Sequence, residues 1–183
     1  MAEHTSKKKL HSFSKNERLC NFSLKKLLFE QGNQFSEYPF RVFWKVIDTN
    51  LEEVFFSKSP ESYLGNKESQ NDLLKTQNPS FPFKKIPANA VFTSPAKCLT
   101  GVSSKVHKSA VQRNKIKRLI KEAYRHNKQS FYSFLNGQKC FCMIGIIYTA
   151  KPVLPYRDIE AKIVVSLQKV VQKISEQQGT CDY

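Results

Sequence analysis

Between Pro39 and Ile47 the chain reads PFRVFWKVI, and this strict alternation constrains the fold more than any other stretch. Successive side chains of a β-strand point to opposite faces. Phe40, Val42, Trp44 and Val46 therefore share one face, which is apolar and suits a core. Arg41, Phe43, Lys45 and Ile47 share the other, where cations and an aromatic ring interleave. A sheet offers such a surface to single-stranded nucleic acid, with rings for the bases and cations for the phosphates.

The rest of the chain supplies partners for that strand. A helix is expected over Asn16–Gln31, with Leu19, Leu24, Leu27, Leu28 and Phe29 as its apolar positions and Gly32 ending it. Lys97–Ser104 (KCLTGVSS) and Lys139–Tyr148 read as further strands, the latter after a turn at Gly137. Asp158–Ile174 has the 3.6-residue period of an amphipathic helix, with Ile159, Ile163, Leu167, Val170, Val171 and Ile174 on the buried stripe. Between Asp48 and Pro95 the composition shifts: five of the eight prolines lie there, among many Ser, Asn and Gln. Residues 1–12 thus read as a flexible basic tail and 13–175 as a single domain carrying an insertion at about 50–95. Residues 176–183 read as a second tail. Length agrees, since 183 residues suffice for one ordinary domain with an insertion.

Charge narrows the function. Thirty Lys+Arg stand against 15 Asp+Glu, a formal net charge of +15. A surplus of that size repels itself and is usually kept for a polyanion. No lipid anchor is visible, the first fifteen residues lack the apolar core of a signal peptide, and no apolar run is long enough for a membrane span. The expected location is the cytoplasm. The five cysteines form no metal-binding pattern and read as reduced, packed thiols. Cys140 and Cys142 fall on one strand face.

An active site is not expected. His4 and His11 lie in the tail, and His107 and His126 read as surface histidines without a nearby carboxylate. Asp48, Glu52 and Glu53 read as a solvated acidic turn. With six glycines and no GxGxxG or Walker pattern, there is no phosphate-cradling loop.

Residues 105–128, KVHKSAVQRNKIKRLIKEAYRHNK, are the most informative segment. Nine of these 24 residues are Lys or Arg and one, Glu122, is acidic. At roughly 100° per residue, Ile116, Leu119, Ile120 and Ala123 gather on one side of a helix. Arg113, Asn114, Lys117, Arg118, Lys121 and Arg125 fill the adjoining arc, with Tyr124 at the boundary. Like charges stacked at 113, 117 and 121 each cost a few tenths of a kcal/mol in the free protein. Phosphates that neutralise the arc would offset that cost.

The run Ala110–Arg125, AVQRNKIKRLIKEAYR, resembles the RNR motif of the bacterial ribonuclease P protein component family. Its kernel is Arg113-Asn114-Lys115 followed by Ile116-Lys117-Arg118, with Lys115 replacing the more usual second Arg. Arg18-Leu19 at the opening of the first helix, and Phe29 three residues before Gly32, are similar to the family as well. The resemblance covers about 13–47 and 97–174. It implies an α+β fold, a compact, ribosomal-protein-like sandwich of a central mixed sheet with about three helices and a left-handed βαβ crossover.

The same resemblance implies a protein subunit without catalytic residues, because the active site and its Mg²⁺ belong to the RNA subunit. The implied partners are that RNA and precursor tRNA, with no membrane and no protein partner. Arg113, Asn114, Lys117, Arg118 and Lys121 are expected to dock on the RNA subunit, joined by Lys105, Lys108, Lys115 and Arg125. A cleft between the first helix and the sheet is expected to hold the 5′ leader of precursor tRNA, at Phe29 and Phe43 with Lys25, Arg41 and Lys45. Lys25 stands where many relatives have an aromatic residue, and Ser103–Lys108 replaces their basic, glycine-containing loop. A structural RNA-binding protein of ribosomal type would share the basic helix and the sheet, but not the conjunction of Arg18-Leu19, Phe29-Gly32 and the RNR kernel. A DNA-binding regulator would need a helix and tight turn before residue 108, where a strand and loop are expected.

Overall fold

The most apolar strand organises the molecule. The structure, a computed structural model, describes residues 12–47 and 90–178. Most of the two expected tails (1–11 of 1–12, and 179–183 of 176–183) and of the insertion (48–89, with Asp48, Glu52 and Glu53) lie outside the described residues, as do His4, His11 and Cys181. Ser12 is instead tied to Lys128, and residues 176–178 end the last helix. The elements are α1 (Phe22–Gln31), β1 (Asn33–Glu37), β2 (Phe40–Ile47), β3 (Ala96–Val102), α2 (Ala110–Gly137), β4 (Phe141–Tyr148) and α3 (Tyr156–Gln178). They form one four-stranded sheet in the order β1-β2-β4-β3. β4 pairs antiparallel with β2 and parallel with β3, so α2 is the crossover of a βαβ unit. With neighbours on both edges and cover on both faces, β4 tolerates a continuous apolar sequence.

One sheet face meets α2 and α3. Phe40, Val42 and Trp44 of β2, Ala96 and Cys98 of β3, and Cys142, Ile144, Ile146 and Tyr148 of β4 are buried there. Against them lie Ile116, Ile120, Ala123 and Tyr124 of α2, and Ile159, Ile163, Leu167, Val170 and Ile174 of α3. The alternation of β2 is thus borne out; Cys140 precedes β4 rather than sharing its strand, although it packs against the same core as Cys142. Tyr124, read as a boundary residue, is fully buried.

α1 covers the other face, where Leu19, Leu24 and Leu28 cluster with Ile47 and Met143. Gly145 of β4 makes room for this: a Cβ there would come 3.1 Å from Leu28 Cδ2. At the end of α1 the Gly32 N–H donates to the Leu28 carbonyl at 3.0 Å, and a Cβ on Gly32 would lie 2.2 Å from that oxygen. Only glycine closes the helix in this way.

Three local readings need correction. First, α1 begins at Phe22 rather than at Asn16. Asn21 caps it, its side chain accepting the Leu24 N–H at 3.1 Å, and residues 17–19 instead bond to Cys98 of β3. Arg18-Leu19 therefore flank the sheet and do not open the helix. Second, β1 was not expected. Its sequence NQFSE holds one large apolar residue because it is a largely exposed edge strand, so no periodicity marks it. Third, α2 runs through Gly137, continuing its buried stripe with Phe131, Tyr132 and Leu135. The left-handed residue after it is Lys139 (φ 51°), not glycine. The described chain resumes at Ala90, and Ala90 and Phe92 pack into the α1-side cluster, inside the span read as insertion.

Candidate nucleic-acid interface

The N-terminal half of α2 concentrates positive charge by construction. Ser109 caps it, and its first turn contains no acidic residue. The helix dipole adds positive potential at that end, an arrangement suited to phosphate. Asn114, Lys115 and Arg118 are exposed; Lys117 and Lys121 are half-buried at the margin of the apolar stripe. Lys105 and Lys108 are exposed in the loop leading into the helix. Among the exposed and half-buried positions of the helix the acidic residue is Glu122.

Two members of the expected set have other work. The Arg113 guanidinium donates from Nη1 to the carbonyl oxygens of His107 at 2.9 Å and Lys108 at 2.6 Å, so it holds the loop against the helix. Arg125 is half-buried and ion-paired to Glu122 through two hydrogen bonds, its Nε donating at 3.0 Å. The hydrogen bond from Arg125, with a smaller contribution from His126, holds the Glu122 carboxyl down at about 2. Arg125 is thus paired in the free protein.

The histidine readings also change. His107 is buried, with Nε2 at 2.9 Å from the Ala150 carbonyl oxygen, so it is no surface residue. His126 has a carboxylate beside it after all, with Nε2 at 2.9 Å from Glu122 Oε1. Lys128, counted above among the cations of the basic segment, is turned inward to Glu17.

Of the expected leader residues, Phe29 and Phe43 meet where α1 packs on the sheet. The Phe29 and Phe43 rings meet edge to face, with centroids 4.9 Å apart and planes at 77°. Phe29 is 45% exposed, Phe43 is half-buried, and Lys25 and Lys45 are half-buried nearby in the sequence of each element. Arg41 is exposed, opposite Ile147 of β4 and Ser36 of β1. The face of β2 that carries the cations is not wholly a binding surface: Ile47 at its end is buried in the cluster that holds Leu24 and Leu28 of α1. α1 covers the Ile47 end of this face and leaves the Arg41 end open.

Sequence reading missed Phe22, the exposed aromatic that opens α1, because residue 22 was placed in mid-helix. It also passed over Lys97, which is buried and donates to the Asn16 carbonyl oxygen at 3.0 Å. Burial pulls the Lys97 ammonium below its usual range. Only the structure reveals that role, since Lys97 looks like any cation at a strand start.

Chemically, the arrangement can hold a polyanion and stack bases. Among the described residues no group of three His, Cys, Asp or Glu could hold a metal ion. Burial pushes the Cys98 and Cys142 thiols upward, which keeps them protonated and unreactive. Among the described residues no helix is long and apolar enough to cross a membrane.

Fold and surface together define an α+β protein with a basic helix packed on one face of its sheet and, on the other face, a partly exposed aromatic contact between α1 and β2. A model of the Ribonuclease P family matches residues 75–174, and the chain belongs to that family. The match takes in β3, α2, β4 and most of α3, while α1, β1 and β2 precede it. Ribonuclease P protein components from two strains of Porphyromonas gingivalis are 29% identical over 76 residues, covering 42% of this chain and 56% of theirs. The chain thus spans about half the length of the curated relatives it matches. A solved structure of Staphylococcus aureus RNase P protein covers 87% of this chain and 94% of its own, at 17% identity and a TM-score of 0.47.

Proposed function

We propose that this chain is the protein subunit of ribonuclease P, acting in the cytoplasm on precursor tRNA without catalytic residues of its own. The observation that carries the reading is the basic face of α2 in a chain of the Ribonuclease P family. Lys105, Lys108, Asn114, Lys115, Lys117, Arg118 and Lys121 contact phosphates of the RNA subunit. Arg113 shapes the loop that presents them, and Arg125 joins once phosphate competes with Glu122. In this reading Mg²⁺ sits on the RNA subunit and supplies Lewis acidity for phosphodiester hydrolysis.

The cleft between α1 and the sheet receives the 5′ leader. Phe29 and Phe43 offer aromatic surface to its unpaired bases, and Lys25, Arg41 and Lys45 offset its phosphates. The protein's contribution is therefore binding energy on the part of the substrate that mature tRNA lacks. Product, having lost the leader, is held less tightly.

The test is reconstitution. Purified protein is added to the ribonuclease P RNA of the same organism with precursor tRNA at low Mg²⁺. Cleavage at the mature 5′ end should accelerate strongly over the RNA alone. No acceleration, with binding to the RNA intact, would favour a structural RNA-binding role instead.

A further inference from the structure

Phe22 is 79% exposed, the highest value of any described aromatic residue. The local fold gives it no structural task. The helix start is held by Asn21, and α1 is anchored by Leu24 and Leu28, both buried on the sheet. At about 100° per residue, Phe22, Lys25 and Phe29 fall within about 60° of the helix surface. That flank ends on the edge-to-face contact of Phe29 with Phe43. Phe22 and Phe29 lie about 10 Å apart along the helix axis, with Lys25 between them. Lys25 falls between the two aromatic positions along the helix, a cation on the same flank as both rings.

We propose that Phe22 is a second stacking platform for the precursor's single-stranded leader, extending the Phe29–Phe43 cleft along α1 to the start of the helix. The proposal rests on the leader reading above. RNA is the occupant that the charges select: Lys25 and Lys26 follow Phe22, and the first acid of α1, Glu30, is ion-paired to Lys26 at 3.6 Å. Base–aromatic stacking tolerates any sequence, so Phe22 should add affinity in proportion to leader length and not to leader identity.

The experiment uses the reconstituted holoenzyme and two precursor tRNAs, one with a long leader and one with a single-nucleotide leader. Phe22→Ala should weaken binding of the long-leader precursor by about five- to tenfold. It should leave the short-leader precursor and the melting temperature unchanged, and Phe22→Tyr should restore affinity. No loss, or an equal loss on both substrates, would overturn the proposal. So would an altered melting temperature with unchanged leader affinity, which would mean that the ring is covered by the chain's own residues. Phe43→Ala run in parallel separates the two ideas. A leader-dependent loss at Phe43 alone removes only the Phe22 platform, whereas leader dependence at neither site removes the leader reading as well.

Discussion

Lys128 of α2 and Glu17, 111 residues apart in sequence, meet with Nζ and Oε1 at 2.5 Å and almost no solvent access to either side chain. The same ammonium donates to the Ser12 carbonyl oxygen, and Lys97 reaches the Asn16 carbonyl oxygen from β3. Two buried lysines thus clamp residues 12–17 across β3 and α2. Removing one partner of a buried pair strands the other charge, at a cost of about 3–5 kcal/mol. Lys128→Met should destabilise the fold by that order in urea unfolding. The double variant Glu17→Gln, Lys128→Met should lose markedly less.

The basic face of α2 should bind RNA through phosphates. Lys117→Glu with Arg118→Glu is the cleaner probe, because Arg113 also holds the loop through His107 and Lys108. Affinity for the RNA subunit should fall, and the slope of log K against log salt should flatten by about two or more. An unchanged slope would contradict a phosphate role.

Glu122 is the acid that interrupts this face, and Arg125 is its main partner. Glu122→Gln should release Arg125 and steepen the salt slope by about one, with tighter RNA binding. The pH dependence follows from the depressed carboxyl. Its small stabilising contribution is complete above the ordinary value of 4.5 and is lost as pH falls toward about 2. In Glu122→Gln that part of the acid sensitivity should vanish from thermal melts taken across pH 2 to 5.

Gly145 admits Leu28 to the sheet beside Phe43. Gly145→Val should overpack this contact and cost about 1–3 kcal/mol, read by denaturant unfolding.

Strong periodicity was legible and edges were not. The two faces of β2 and the stripe of α3 follow from sequence because burial imposes a period on apolar residues. β1 left no such mark, being an edge strand with one large apolar side chain. The start of α1 was misplaced because Leu19 is apolar and buried yet belongs to an extended segment bonded to Cys98. The Asn21 cap was the available signal. Among the site residues, composition could name the cations of 105–128 but not sort them. Lys128 turns inward, Arg113 braces a loop and Arg125 pairs with Glu122, and each depends on neighbours that only the fold supplies.

As proposed above, this protein gives ribonuclease P its hold on the leader. The direct measurement is the affinity of the RNA–protein complex for precursor tRNA relative to mature tRNA, with wild-type protein and with Phe43→Ala. The wild-type complex should prefer the precursor, and Phe43→Ala should reduce that preference by about 1–3 kcal/mol while leaving mature tRNA binding and the melting temperature nearly unchanged. Equal affinity for both tRNAs with the wild-type protein, or equal losses on both accompanied by unfolding of Phe43→Ala, would contradict it.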